Sequence, residues 1–210
     1  MSFILLDIVL HLDTHLLALV HDYGALVYAI LFCLIFAETG LVIAPFLPGD
    51  SLLFVTGALC GMGSLELQVL MPLLMLAAFA GDNTNYWVGR RFGIKLFKPN
   101  SRFFKLEHVD KTQKFYAKHG GKTIIFARFL PVIRSFAPFV AGIGTMSYRL
   151  FVTFSALGSV AWISCFTLAG YYFGNIPFVR NNLTFMIFGI ILISFIPALR
   201  EYLRHRREKN

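Results

Sequence analysis

Two stretches of this chain run without a charged side chain for longer than a soluble fold accommodates. Residues 150–173 and 181–199 hold 24 and 19 residues with no Asp, Glu, Lys or Arg. A helix of about 20 apolar residues crosses the ~30 Å hydrocarbon core of a bilayer. An unusually apolar globular core fails as an explanation because of run length. Composition agrees: of 210 residues, 57% are hydrophobic and 14% charged, well away from soluble-domain averages. The expectation is an all-α integral membrane protein. The N-terminus lacks the basic n-region and small-residue cleavage site of a signal peptide, so no segment is expected to be removed.

Charge is distributed along the chain in one direction. All 19 basic residues lie at or after Arg90, ten of them between Arg90 and Lys122 and five between Arg200 and Lys209. The positive-inside rule makes both stretches cytoplasmic. The net charge of +8 could also suit nucleic acid, but no recognition fold accompanies it, and anionic lipid headgroups are the expected partner. Cys33, Cys60 and Cys165 are scattered through apolar surroundings without a CxxC pair, and they read as small core hydrophobes.

The remaining apolar runs are broken and charged. Residues 24–62 contain Glu38 and Asp50 together with Pro45, Pro48 and Gly49. An ionisable group at the bilayer centre costs about 2.5–3.5 kcal/mol on insertion scales. Proline removes a helix donor and clashes with the preceding turn, so one straight helix is excluded. Broken helix at membrane depth survives only where protein or a water-filled cavity buries it. Residues 24–93 therefore read as a first repeat: a membrane helix, a re-entrant hairpin broken at Pro48 and Gly49, and a second membrane helix over 67–89. That helix contains Asp82, Asn83 and Asn85 and ends at Gly89-Arg90-Arg91-Phe92-Gly93.

Ahead of this repeat, residues 1–23 read as an interfacial amphipathic helix. Asp7, His11 and His15 share one face of it; the amphipathic pattern accounts for them better than a metal site does. Residues 94–121 form a basic linker in which Phe103, Leu106, Val109 and Tyr116 fall on one helical face, as in a helix lying on the inner leaflet. Residues 122–174 form a second repeat. Here a hairpin broken at Pro131 and Pro138 carries Arg128 and Arg134, and a membrane helix follows it. Residues 175–210 supply the last membrane helix and a basic tail.

The two repeats share a pattern. Phe46-Leu47-Pro48 precedes Phe54-Val55-Thr56-Gly57, and Phe129-Leu130-Pro131 precedes Phe139-Val140-Ala141-Gly142. Each copy leads to a helix closing on Gly89-Arg90-Arg91-Phe92-Gly93 or Gly170-Tyr171-Tyr172-Phe173-Gly174. Counting crossings back from a cytoplasmic C-terminus puts the second hairpin on the cytoplasmic side, the first on the outer side and the N-terminus inside. The expected fold is thus an inverted repeat with two re-entrant helical hairpins plus about four transmembrane helices, the plan of secondary transporters.

The chemistry follows from complementarity. Acids at Glu38 and Asp50 and arginines at Arg128 and Arg134 would offset one another's desolvation by pairing. The guanidinium fork suits phosphate or carboxylate and stays charged when buried. A carboxyl in apolar surroundings can take up and release protons near neutral pH. Arg128 and Arg134 are therefore expected to bind phosphate, with Glu38 and Asp50 coupling protons. Asp82, Asn85 and Ser51 are further candidates for the polar site. A static ion-pair cluster fixing the hairpins is the structural alternative. Trp162 reads as packing, Tyr171 and Tyr172 as interfacial anchors. His119, on the basic loop, is the best candidate general base and lacks a partner carboxylate, so no enzyme, catalytic residue, metal or cofactor is expected.

The same residues carry a family resemblance. Glu38-Thr39-Gly40, Phe46-Leu47-Pro48-Gly49-Asp50-Ser51, Gly81-Asp82, Tyr86 with Gly89-Arg90, Lys118-His119-Gly120, Arg128-Phe129-Leu130-Pro131 with Arg134, and Pro138 with Ala141-Gly142 together resemble the bacterial DedA family. These proteins are also called SNARE-associated or VTT-domain proteins. The resemblance implies a multi-pass protein of the bacterial inner membrane, with a cytoplasmic C-terminus. It implies movement of undecaprenyl phosphate or phospholipids between leaflets, dependence on the proton motive force and support of envelope integrity. The family's essential acids fall on Glu38 and Asp50 and its essential arginines on Arg128 and Arg134. The competing functions are a proton-coupled exporter of small cationic compounds and a lipid scramblase without ion coupling. A homo-oligomer is compatible with either.

Overall fold

The computed structural model describes residues 23–41, 49–96, 120–144, 146–174 and 176, with the side chains of residues 93–96 and 131–132 excepted. The helix expected over residues 1–23 with Asp7, His11 and His15, the Pro48 turn, most of the basic linker with His119, and the last helix and tail lie outside the described residues. Six α-helices, and no strand, occur among the described residues. They are α1 (Leu26–Gly40), α2 (Gly49–Gly61), α3 (Leu67–Leu96), α4 (Lys122–Ala127), α5 (Pro131–Ile143) and α6 (Tyr148–Phe173).

Length divides these helices into two kinds. Leu67–Phe92 within α3 and the whole of α6 each offer 26 residues that are long and apolar enough to cross a membrane. By contrast α2 and α5 have 13 residues apiece, which at 1.5 Å per residue is about 20 Å, short of the hydrocarbon thickness. Helix α2 is buried on all sides from Gly49 to Cys60, as its lack of a polar face requires. It begins with Asp50 in its first turn, where a negative charge complements the helix dipole. It ends in a Schellman motif: Gly63 takes φ +78°, Ser64 N–H donates to Leu59 O at 2.9 Å and Gly63 N–H to Cys60 O at 3.0 Å.

Two boundaries differ from the sequence expectation. Helix α3 does not stop at Gly89-Arg90-Arg91 but continues to Leu96. Arginine is a good helix former, so a cluster of charge marks where a chain can leave the apolar phase and not where its helix ends. Nor does Pro138 break the second hairpin; α5 runs through it, as α3 runs through Pro72. A buried helix tolerates the missing donor when its neighbours satisfy the freed carbonyl. The break falls at 128–130 instead. Leu130 is extended at φ −115°, ψ 106°, the conformation favoured before proline, and Pro131 then occupies the first helical position, where its lost N–H costs nothing.

The chain divides into two compact units, one of residues 1–34, 47–75 and 161–210, the other of 35–46 and 76–160. In the first, α2 crosses the second half of α6 at main-chain distance. A Cβ on Gly57 would sit 2.1 Å from Thr167 O, and one on Gly170 would sit 1.9 Å from Phe54 O. The N–H of Glu66 donates to the Tyr28 hydroxyl at 2.8 Å, tying the start of α1 to the approach to α3. In the second unit, α5 crosses α3 with the same spacing. A Cβ on Gly142 would sit 2.0 Å from Tyr86 O, and one on Gly89 would sit 2.1 Å from Phe139 O. In both crossings each glycine meets the carbonyl three residues before its partner glycine. Around the second, Tyr86, Ile124, Ala141 and Phe151 form the core, with the Tyr86 and Phe151 rings stacked 4.4 Å apart.

These crossings leave no room for a side chain. Gly142→Leu and Gly170→Leu are each expected to destabilise the protein by about 3 kcal/mol or more, since overpacking here pushes against backbone. The check is thermal unfolding in detergent, in which Gly24→Ala, with nothing within 4 Å of its added Cβ and only the strain of its left-handed φ of +52° to bear, about 1 kcal/mol, serves as the milder comparison.

Candidate functional site

Five carboxylate and guanidinium side chains are buried among the described residues: Glu38, Asp50, Asp82, Arg128 and Arg134. Four of them belong to the second unit. Arg128 caps α4 just before the helix break, and Arg134 lies in the first turn of α5 just after it. The two guanidinium groups are therefore carried by the two sides of one interruption. Glu38 comes from the last turn of α1 and Asp82 from α3.

The pairing is specific. Arg134 Nη2 donates to Glu38 Oε1, and Arg128 Nη2 donates to Asp82 Oδ2. All four side chains are 1–3% exposed, so these are interior ion pairs for which solvent screening is weak. Arg134 also lies within electrostatic reach of Arg128 and Asp82. The two acids and two arginines sum to zero charge. Ser155 of α6 donates to Asp82 Oδ2 at 2.6 Å. Nε and Nη1 of Arg128 have no hydrogen-bond partner among the described residues.

A second layer holds these groups in register. Asn85, one turn after Asp82, donates through Nδ2 to Thr39 O at 3.3 Å and to Ser135 O at 2.6 Å. Ser135 Oγ donates to Glu38 O at 3.3 Å. One amide thus joins the end of α1, the middle of α3 and the start of α5, the three elements that present Glu38, Asp82 and Arg134. The close approach of α1 to α3 depends on glycine as well: a Cβ on Gly81 would fall 2.0 Å from Thr39 Oγ1.

In the first unit, Asp50 accepts a 2.9 Å hydrogen bond from Trp162 Nε1, and the indole is fully buried. Ser51 beside it is buried, and its hydroxyl has no hydrogen-bond partner among the described residues.

The arrangement differs from the sequence reading in its details. Glu38 and Arg134 meet as a pair, but Arg128 takes Asp82, which the sequence offers only as a further candidate. Asn85 acts as a main-chain clamp. Of the proposed breaks, Gly49 and Pro131 begin helices, Pro138 lies within one, and Pro48 is outside the described residues. Ser155 and Trp162 are partners that sequence reasoning missed. Ser155 and Gly158, small residues on one helix face in an uncharged run, were the available signal for a polar contact there. Trp162 has an N–H that seeks a partner when buried, and this was readable too.

The chain resembles known proteins over nearly its whole length. It is 54% identical to Protein DedA of Escherichia coli (strain K12) over 208 residues, 98% of this chain and 95% of that protein. A family model described as the VTT domain matches residues 47–172. The chain belongs to the DedA family of VTT-domain proteins. It is also 48% identical to an uncharacterized membrane protein of Mycobacterium leprae, covering 79% of this chain and 75% of that one. With inner membrane protein YghB of E. coli (strain K12) it shares 34% identity over 83% of this chain and 86% of that protein. No solved structure matches. The last two relatives are named as membrane proteins, in keeping with the two apolar helices. The VTT match takes in Asp50, Asp82, Arg128 and Arg134, and it starts after Glu38, so one acid of the buried cluster lies on the helix that precedes the matched region.

Breaking one partner of a buried pair leaves the other charge stranded at a cost of about 3–5 kcal/mol, whereas replacing both with apolar residues of similar volume is far milder. Arg134→Met alone is therefore expected to lower the unfolding midpoint sharply, and Glu38→Leu combined with Arg134→Met to recover much of it. A double mutant no more stable than the single one would mean that the pair is not an isolated electrostatic unit.

Proposed function

We propose that this DedA-family protein carries an anionic lipid, undecaprenyl phosphate or a phospholipid, between the leaflets of the bacterial inner membrane. The observation that carries the reading is the pair of buried arginines on the two sides of the 128–130 break. Arginine forks recognise phosphate through paired donors, and interrupted helices in membrane transporters line the substrate path. Exposed apolar side chains on the long helices, among them Leu76, Leu157 and Val160, suit contact with acyl chains.

The proton motive force drives this movement in the proposed scheme. Glu38 takes a proton when a phosphate claims Arg134, and Asp50, held by Trp162, is the second coupling acid. Neither step forms a covalent bond, so the protein is a carrier and not an enzyme. The architecture that goes with it is an inverted repeat with two re-entrant hairpins, α2 in one and α4–α5 in the other, and a cytoplasmic C-terminus. The length of α2 and α5 and the matching glycine crossings support it.

The test is leaflet-to-leaflet movement of undecaprenyl phosphate and of phospholipids in proteoliposomes, with and without a proton gradient. Arg128→Ala, Arg134→Ala, Glu38→Gln and Asp50→Asn are each expected to reduce movement at least ten-fold, the factor corresponding to about 1.4 kcal/mol of lost interaction. Movement unaffected by the gradient would leave a scramblase. No movement in wild type, with export of cationic compounds instead, would sink the lipid reading.

A further inference from the structure

Among the described residues, Asp82 is the one buried acid of the second unit to which the proposed scheme gives no task. Its surroundings define one. Arginine has five N–H donors, and of its three nitrogens only Nη2 of Arg128 is engaged, by Asp82 Oδ2. Nε and Nη1 are buried and unpartnered among the described residues. The guanidinium can grip a phosphate with two N–H bonds either along its Nε–Nη2 edge or along its Nη1–Nη2 edge. Both edges run through the nitrogen that Asp82 holds. Gly158 of α6 lets the Arg128 stem lie close against its main chain, since a Cβ there would fall 2.9 Å from Arg128 Cδ and 3.0 Å from Nε.

We infer that Asp82 is the exchangeable counter-ion of Arg128: a phosphate monoester displaces it and, on being displaced, Asp82 takes up a proton. The inference rests on the phosphate-carrier reading and deepens it. Charge balance is the reason. Glu38, Asp82, Arg128 and Arg134 are the buried charges of this unit among the described residues, and they sum to zero. A phosphate monoanion seated on Arg128, with Glu38 still paired to Arg134, would leave one uncompensated negative charge in a buried site, which is costly. The balanced exchange is Arg128⁺·Asp82⁻ plus ROPO₃H⁻ plus H⁺ giving Arg128⁺·ROPO₃H⁻ plus neutral Asp82. The proton resides on the Asp82 carboxyl.

The groups facing Asp82 fit both states. Arg128 holds the carboxylate directly, Arg134 from α5 lies within electrostatic reach and is itself held by Glu38 from α1, and Ser155 from α6 donates to Oδ2. A hydroxyl both donates and accepts. Ser155 can therefore donate to the carboxylate before exchange and accept from the carboxylic acid afterwards without moving its backbone.

The experiment uses the full chain in nanodiscs, with inorganic phosphate and dioctanoyl phosphatidic acid as probes. Wild type is expected to bind the lipid probe with uptake of about one proton and to gain a protonated-carboxyl band in the infrared difference spectrum. Ser155→Ala shifts that band. Asp82→Asn, relieved of its competitor, binds the probe roughly ten-fold tighter or more, loses the band and releases substrate more slowly. Binding of inorganic phosphate alone would assign the site to free phosphate and not to a lipid headgroup, with the exchange intact. No binding of either probe by wild type would overturn the carrier reading itself. Binding with no carboxyl band, or with a band that Ser155→Ala leaves unmoved, would overturn the role of Asp82 while the carrier reading stands. The wild-type and Ser155→Ala spectra decide the matter even if Asp82→Asn fails to fold.

Discussion

Burial of two arginines at one helix interruption is the constraint on which the second unit depends. A guanidinium stays charged in any environment a protein offers, so the fold must bring it a partner. Arg128 and Arg134 are therefore obligations on three other helices. Helix α1 answers Arg134 with Glu38 and α3 answers Arg128 with Asp82, which α6 steadies in turn through Ser155. The break that carries the arginines follows from the local chain: an extended Leu130 ahead of Pro131. Remove the proline and the two guanidinium groups would ride on one continuous helix, with different directions and different partners.

The clamp at Asn85 shows how such a site is kept in place. Its amide binds two carbonyls from two other helices, Thr39 O and Ser135 O. A backbone carbonyl is present whatever the side chain, so this register does not depend on the neighbours' identity. The charged pairs supply attraction, and the amide supplies position. The two are complementary, because an ion pair alone holds distance loosely while an amide bonded to two main-chain carbonyls fixes the geometry.

Much of this is legible in the sequence, and what is not has physical reasons. Acids and arginines inside apolar runs stand out by their cost alone, which is why Glu38, Asp50, Arg128 and Arg134 can be named from the amino-acid sequence. Who pairs with whom cannot. Arg128 and Asp82 are 46 residues apart and meet only because α3 and the α4–α5 break pack together. Ser155 leaves only a faint signal at sequence level, a small polar residue in a long uncharged run where such residues also serve mere packing. Boundaries err toward helices that are too short. Arg90 and Arg91 suggest an end that α3 ignores, and Pro138 suggests a break that α5 absorbs, because charge and proline report local preference while tertiary contacts decide. The family itself is readable from its motifs over nearly the whole chain.

The glycine crossings have a consequence for how the chain tolerates change. Where helices meet main chain to main chain, the contact is made of atoms common to every residue, and the crossing itself constrains only the glycines. The chemistry carried beside it is set separately. One crossing accompanies arginine–carboxylate pairs and the other an indole–carboxylate contact, with the same three-residue offset between glycine and carbonyl. The two helix pairs are alike in the places where nothing protrudes.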